Sequence, residues 1–322
     1  MRAMQAILLA GAATLCCSAA VLAGHHEASE KKGTDKAKTL NAYFFGHSLV
    51  HHTDYKVPTP KDHTSIPFWL KRLSDAAGHA YTTDGQFGFL RNHAEFPPRA
   101  QWGFVNVESG WKHSFAQSKY DAVVLTAGNF VQYQGVDKPY YDDKNVSPLD
   151  ATLAIVDYVQ KESPASQIYI YENWPDMGEY AQGYPPKAPS KSKLEDYYRY
   201  TQGDFHNWWL DYHDRVIKAR PQADVKLIPL GPILMTLLTE TPLKNIPFEQ
   251  LFEDNAPHGR PNIYFLAALI HYSALLREPA PKEFSGFDDL HPLIRQHYAL
   301  VSNVVWQALQ NAKDKSGKSR VW

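Results

Sequence analysis

The chain has 322 residues, 44% of them hydrophobic, and a formal net charge of −1, a balance that argues against nucleic acid or an anionic membrane as the main partner. Its two cysteines, Cys16 and Cys17, both fall in an apolar leader. Without the leader there is no thiol for catalysis or for a disulfide, and stability must come from a core alone.

The leader runs from Met1-Arg2 through the apolar segment Ala6 to Leu22 and reaches small residues at Ala23 and Gly24. It has the form of a secretory signal peptide, residues 1–23, too short and too rich in alanine for a membrane anchor. We therefore expect an exported protein, periplasmic or secreted, with no membrane anchor after cleavage. Residues 24–38 are polar and aperiodic and read as a flexible lead-in. One α/β domain is expected over residues 39–312, followed by a basic, frayed tail, 313–322.

The domain opens on LNAYFFGHSLVHH, Leu40 to His52. An apolar aromatic run reads as a buried strand, breaks at Gly46, and leaves Ser48 at the mouth of the turn. In an open α/β sheet, ligands bind beyond the carboxyl ends of the strands, which is where such a serine would stand. Ile66 to Ala77 has helical spacing and stops at Gly78. A strand at His79 to Thr83 leads into a glycine-punctuated turn, Gly85 to His93. Ser109 to Gln117 reads as a short helix, and Tyr120 to Thr126 as a buried strand ending in Ala127-Gly128-Asn129.

A helix at Asp150 to Glu162 and a strand at Gln167 to Tyr171 follow. After a Gly- and Pro-rich stretch comes one long aromatic helix, Lys193 to Ala219, then a strand at Val225 to Leu230 and a helix at Ile233 to Leu238. The apolar helix Ile263 to Leu276 and a last helix, Leu293 to Asn311, close the domain. Apolar strands alternating with helices imply a parallel sheet covered on both faces, a three-layer sandwich.

Two segments place an acid shortly before a histidine at the mouth of a helix: Asp254 with His258, and Asp288 with His291. A serine hydroxyl attacks an ester when an imidazole removes its proton and a carboxylate fixes that imidazole's tautomer. Gly46-His47-Ser48-Leu49, Gly88, Gly128-Asn129, and Asp254 with His258 resemble, in order, the four spaced blocks of the SGNH (GDSL) hydrolase superfamily. The resemblance spans about Leu40 to Leu276. It implies a flavodoxin-like α/β sandwich in which Ser48 is the nucleophile, Gly88 and Asn129 help to hold the oxyanion, and His258 and Asp254 complete the triad. No cofactor is implied.

The chain departs from the family pattern at three points. His47 stands where the family has Asp before Ser, a place where the backbone, rather than the side chain, is expected to make the turn. Gly128-Asn129 lacks the family's intervening residue. Three residues separate Asp254 from His258 where two are usual, and Asp288 and His291, with the usual two, form the rival pair. His47, His51, His52 and His63 crowd one region, but their spacing follows no metal-ligand pattern. Trp174 and Tyr180 are candidates for stacking on a sugar.

The expected activity is hydrolysis of a small acyl ester, acetyl on a carbohydrate first among them. The alternatives are a lipid or thioester hydrolase of the same fold and a non-catalytic carbohydrate-binding relative. Geometry separates the last from an enzyme, since it requires that neither histidine reach Ser48.

Overall fold

The computed structural model describes residues 36–52, 63–100, 103–104, 106–128, 134–139 and 146–322. The leader, most of the lead-in and Asn129 lie outside them.

Five parallel strands build one sheet in the order β2-β1-β3-β4-β5: β1 Thr39–Gly46, β2 Ala80–Phe87, β3 Ala122–Leu125, β4 Gln167–Tyr171 and β5 Lys226–Ile228. The period of two along each strand sorts side chains between two cores. Ala42 and Phe44 of β1, Val124 of β3 and Tyr169 and Tyr171 of β4 face one side; Tyr43, Phe45, Val123, Leu125, Ile168 and Ile170 face the other. Helices cover both faces, giving the three-layer α/β fold. Burying each such Phe, Ile, Leu or Val side chain stabilises the fold by roughly 1.5–3 kcal/mol.

The helices, in chain order, are α1 Ile66–Ala76, α2 Leu90–His93, α3 Phe115–Ser118, α4 Pro148–Glu162, α5 Lys191–Tyr200, α6 His206–Ala219, α7 Leu230–Glu240, α8 Pro261–Leu276, α9 Pro292–Gln296 and α10 Tyr298–Asn311. Helix α4 starts on a reciprocal cap, in which Ser147 Oγ accepts the Asp150 N–H and Asp150 Oδ2 accepts the Ser147 N–H. Residues of α1, α7, α8 and α10 share the first core, and those of α4 and α6 the second. Helix α8 is buried all round, as an apolar helix with no polar stripe must be.

Four elements differ from the sequence reading. The long aromatic helix is α5 and α6 joined through a π turn, Thr201–Phe205. The last helix is two, α9 and α10, broken at His297. Most of Ser109 to Gln117 is not helical. The Ser109 hydroxyl and the Gly110 N–H both donate to the Asp84 carboxylate, which holds the backbone extended, and only α3 remains. The tail does not fray: Val321 is fully buried, Arg320 pairs with Asp214 at 2.6 Å, and the Trp322 indole N–H donates to the Ala274 carbonyl. Among the described residues no helix is long and apolar enough to cross a membrane.

Candidate active site

The strand order changes direction between β1 and β3, the place at which an open α/β sheet binds ligands beyond the carboxyl ends of its strands. Ser48 stands at that end, two residues past β1, half-buried. The chain winds one tight turn after Gly46, with the Val50 N–H donating to the His47 carbonyl at 2.8 Å. Leu49 and Val50 are buried below it, while the Tyr171 hydroxyl donates to the Leu49 carbonyl at 3.2 Å and the Tyr264 hydroxyl to the Ser48 carbonyl at 2.5 Å. The turn is thus pinned from β4 and from α8.

The side chain of His47 takes part in this anchoring, contrary to the expectation that only its backbone mattered. It is buried, its Nε2 donates to the Ala127 carbonyl at 3.0 Å, and its Nδ1 accepts the Leu49 N–H at 3.3 Å. Burial pushes its pKa down to about 4, against the pull of the Ala127 carbonyl, so the ring is neutral with its proton on Nε2.

The second half of the site is the loop between α7 and α8. Phe252 and Gly259 form an antiparallel bridge, and the Glu253 N–H donates to the His258 carbonyl at 2.8 Å. Asp254 divides its two oxygens. Oδ1 accepts the Ala256 and His258 N–H groups, both at 3.0 Å, and Oδ2 accepts from His258 Nδ1 at 2.7 Å. This local turn absorbs the extra residue between the acid and the histidine. Gly259 is required where the loop meets α8, since a Cβ there would lie 2.8 Å from Ile263. Trp174 braces the loop from within, its indole N–H donating to the Pro257 carbonyl at 2.9 Å.

These two pieces meet: His258 Nε2 lies 2.9 Å from Ser48 Oγ. Burial pushes the Asp254 carboxyl up, but the hydrogen bonds and charge of His258, with the Ala256 N–H, outweigh it and hold the pKa at about 2. Asp254 is therefore an anion throughout the range in which an imidazole titrates. With Nδ1–H held by that anion, Nε2 is free to accept the serine proton.

The rival pair does not converge. His291 caps α9, its Nδ1 accepting the Leu293 N–H at 3.2 Å and its own N–H donating to Asn262 Oδ1 at 2.8 Å. Asp288 is exposed. Two further sequence expectations, for Gly88 and Trp174, need correction. The Gly88 N–H donates to the Gly46 carbonyl at 2.9 Å, because β2 runs on to Phe87 and Gly88 extends its ladder; that hydrogen is not free for an oxyanion. Trp174 is wholly buried and offers no face to a sugar. Tyr180 is half-buried, its ring packed against Tyr197 and Tyr200. The Ser48 N–H meets no acceptor among the described residues, and Asn129 lies outside them.

The clustered histidines point to separate tasks. His47 turns inward to Ala127, the His51 ring packs against Phe104, His63 Nδ1 lies 3.2 Å from Asp289, and His52 stacks on His258. Among the described residues no group of three or more His, Cys, Asp or Glu side chains is arranged to hold a metal ion.

No family model and no curated protein matches the chain. Solved structures similar to it include a protein described as a GDSL-like lipase from Parabacteroides merdae, at 12% identity and TM-score 0.44, covering 74% of this chain and 97% of that one. Another is a variant of Axe2, an acetyl-xylooligosaccharide esterase from Geobacillus, at 13% identity and TM-score 0.40, covering 79% and 98%. A third is LAE5, an alpha/beta hydrolase from the metagenome of Lake Arreo, at 13% identity and TM-score 0.41, covering 74% and 97%. Chemical roles in this chain are assigned from Ser48, His258 and Asp254 themselves, not from likenesses of this size.

Proposed function

We propose that this chain is a serine esterase of SGNH type acting on small acyl esters, with acetyl the favoured acyl group. The observation that carries the reading is the unbroken line from Ser48 Oγ to His258 Nε2 at 2.9 Å and from His258 Nδ1 to Asp254 Oδ2 at 2.7 Å.

In this reading Ser48 Oγ attacks the ester carbonyl carbon as His258 Nε2 takes its proton, and Asp254 steadies the imidazolium. The carbonyl oxygen gains charge and accepts from the Ser48 N–H, with Asn129 the proposed side-chain donor; one such donor lowers the barrier by about 3 kcal/mol. The intermediate collapses, His258 gives its proton to the departing alkoxide, and an acyl-Ser48 ester remains. Water, deprotonated by His258, then releases the acid and restores the serine hydroxyl.

A cleft of about 510 Å³ lies at the end of β2, lined by Phe87, Gly88, Phe89, Arg91, Glu95 and Arg99 among others. Phe87, 60% exposed, pairs in register with Gly46, two residues from the nucleophile. The proposal of a carbohydrate alcohol rests on the exposed Phe87 ring at this end of the sheet and loses the support that Trp174 was expected to give. The exported location stands as part of the same proposal and rests on the leader sequence. A non-catalytic relative is disfavoured by the reach of His258 to Ser48. The test is hydrolysis of p-nitrophenyl acetate by the purified chain and by Ser48→Ala. Loss of turnover in a folded Ser48→Ala variant is expected, and retained turnover would reject the reading.

A further inference from the structure

A second imidazole and carboxylate lie against the first. The His52 ring is stacked on the His258 ring, centroids 3.8 Å apart and planes within 6° of parallel. His52 Nε2 lies 3.3 Å from Oε2 of Glu253, the residue before Asp254. Glu253 is 3% exposed and its backbone N–H is bound to the His258 carbonyl. His52 is itself fixed: its N–H donates to the Thr64 carbonyl at 2.9 Å, and its carbonyl accepts from the Thr64 hydroxyl. The stack thus joins the segment that follows the nucleophile to the loop that carries the base.

The His258 ring is tethered at Cγ, so its soft motion is a rotation about Cβ–Cγ that swings Nδ1 and Nε2 across their partners Asp254 and Ser48. A parallel ring at 3.8 Å removes that freedom. The direction of the Nε2 lone pair matters because the same atom must face Ser48 Oγ, then the leaving oxygen, then water, and small misplacements of a catalytic group cost rate rather than binding.

We propose that His52, oriented by Glu253, is a positioning residue for the base, a clamp that keeps the His258 ring in the plane shared with Ser48 and Asp254. The proposal rests on the reading of His258 as the general base. It goes beyond the triad in assigning a role to a residue that is not one of its three members. A residue that merely packed there would change stability but would not separate kcat from KM.

The test uses the full chain, p-nitrophenyl acetate and two variants, with folding checked by circular dichroism. His52→Ala removes the ring, and His52→Phe keeps a flat ring while removing both nitrogens. His52→Ala is expected to lower kcat by about 10- to 100-fold with KM within about twofold, and His52→Phe to recover most of kcat. If His52→Ala does not fold, His52→Leu, similar in volume and not planar, is expected to show the same loss. In proton NMR, the downfield resonance of the His258 Nδ1 proton bound to Asp254 should persist in His52→Phe and broaden in the variant without a ring. Full kcat in a folded variant without the ring, or a His52→Phe as slow as that variant, would overturn the clamp. Turnover that does not depend on Ser48 would instead remove the esterase reading, and the NMR resonance, which needs no turnover, would still decide whether the ring is held.

Discussion

His47 Nε2 donates to the Ala127 carbonyl at 3.0 Å, tying the turn that carries Ser48 to the end of β3. The same ring accepts the Leu49 N–H. His47→Ala should therefore leave a buried N–H unpaired and cost about 1–3 kcal/mol of stability, measured by urea unfolding. In the folded fraction kcat should fall more than KM rises, because the turn loses its register. An unchanged urea midpoint would mean that the turn stands without this anchor.

The two histidines that follow an acid should separate in kinetics. His258→Ala should lose about 10⁴-fold or more in kcat/KM for a small acetyl ester, since it removes both the proton acceptor and its link to Asp254. His291→Ala removes a helix cap and should cost about 1 kcal/mol of stability with little change in kcat per folded molecule. Steady-state kinetics on both variants checks this, and the reverse pattern would transfer the base to His291.

Glu172 and His206 make a buried pair, with Glu172 fully buried at the end of β4 and its Oε2 2.9 Å from His206 Nδ1. Burial lifts the Glu172 carboxyl from 4.5 to about 7, against the pull of His206. Burial alone would lower His206, but the facing carboxylate raises it above its usual value. Both groups bind more protons folded than unfolded, so stability is fully present below about pH 4.5 and is lost as pH rises through about 7. Urea midpoints across this window should fall for the natural chain and stay level or reverse in Glu172→Gln. An equal fall in both would assign the dependence to other groups.

The strands and the candidate Ser48, His258 and Asp254 line were legible in the sequence for different reasons. Strand β4 is a short apolar run between polar residues and coincides with its expected bounds, Gln167 to Tyr171. Ser48, Asp254 and His258 could be named because nucleophilic catalysis needs those side-chain types, each next to a turn, in a known order. What escaped depends on contacts between distant segments. Tyr264 reaches the Ser48 carbonyl across 216 residues, and the Gly88 N–H goes to Gly46 only because β2 extends beyond the strand-like residues. The side-chain role of His47 and the Glu253 partner of His52 likewise follow from packing, to which no local pattern points. The docking of the basic tail was missed because its anchors, Val321 and Trp322, are two apolar residues after a charged run.

Whether Ser48 is the nucleophile is decided by covalent labelling of the purified chain with a fluorophosphonate, followed by peptide mapping in the mass spectrometer. Such a reagent phosphonylates a serine whose proton is removed by a neighbouring base. One adduct is expected, on Ser48, formed rapidly in the natural chain and in His291→Ala, and suppressed in a folded His258→Ala. An unlabelled chain, an adduct on another serine, or labelling of Ser48 that survives intact in His258→Ala would contradict that assignment.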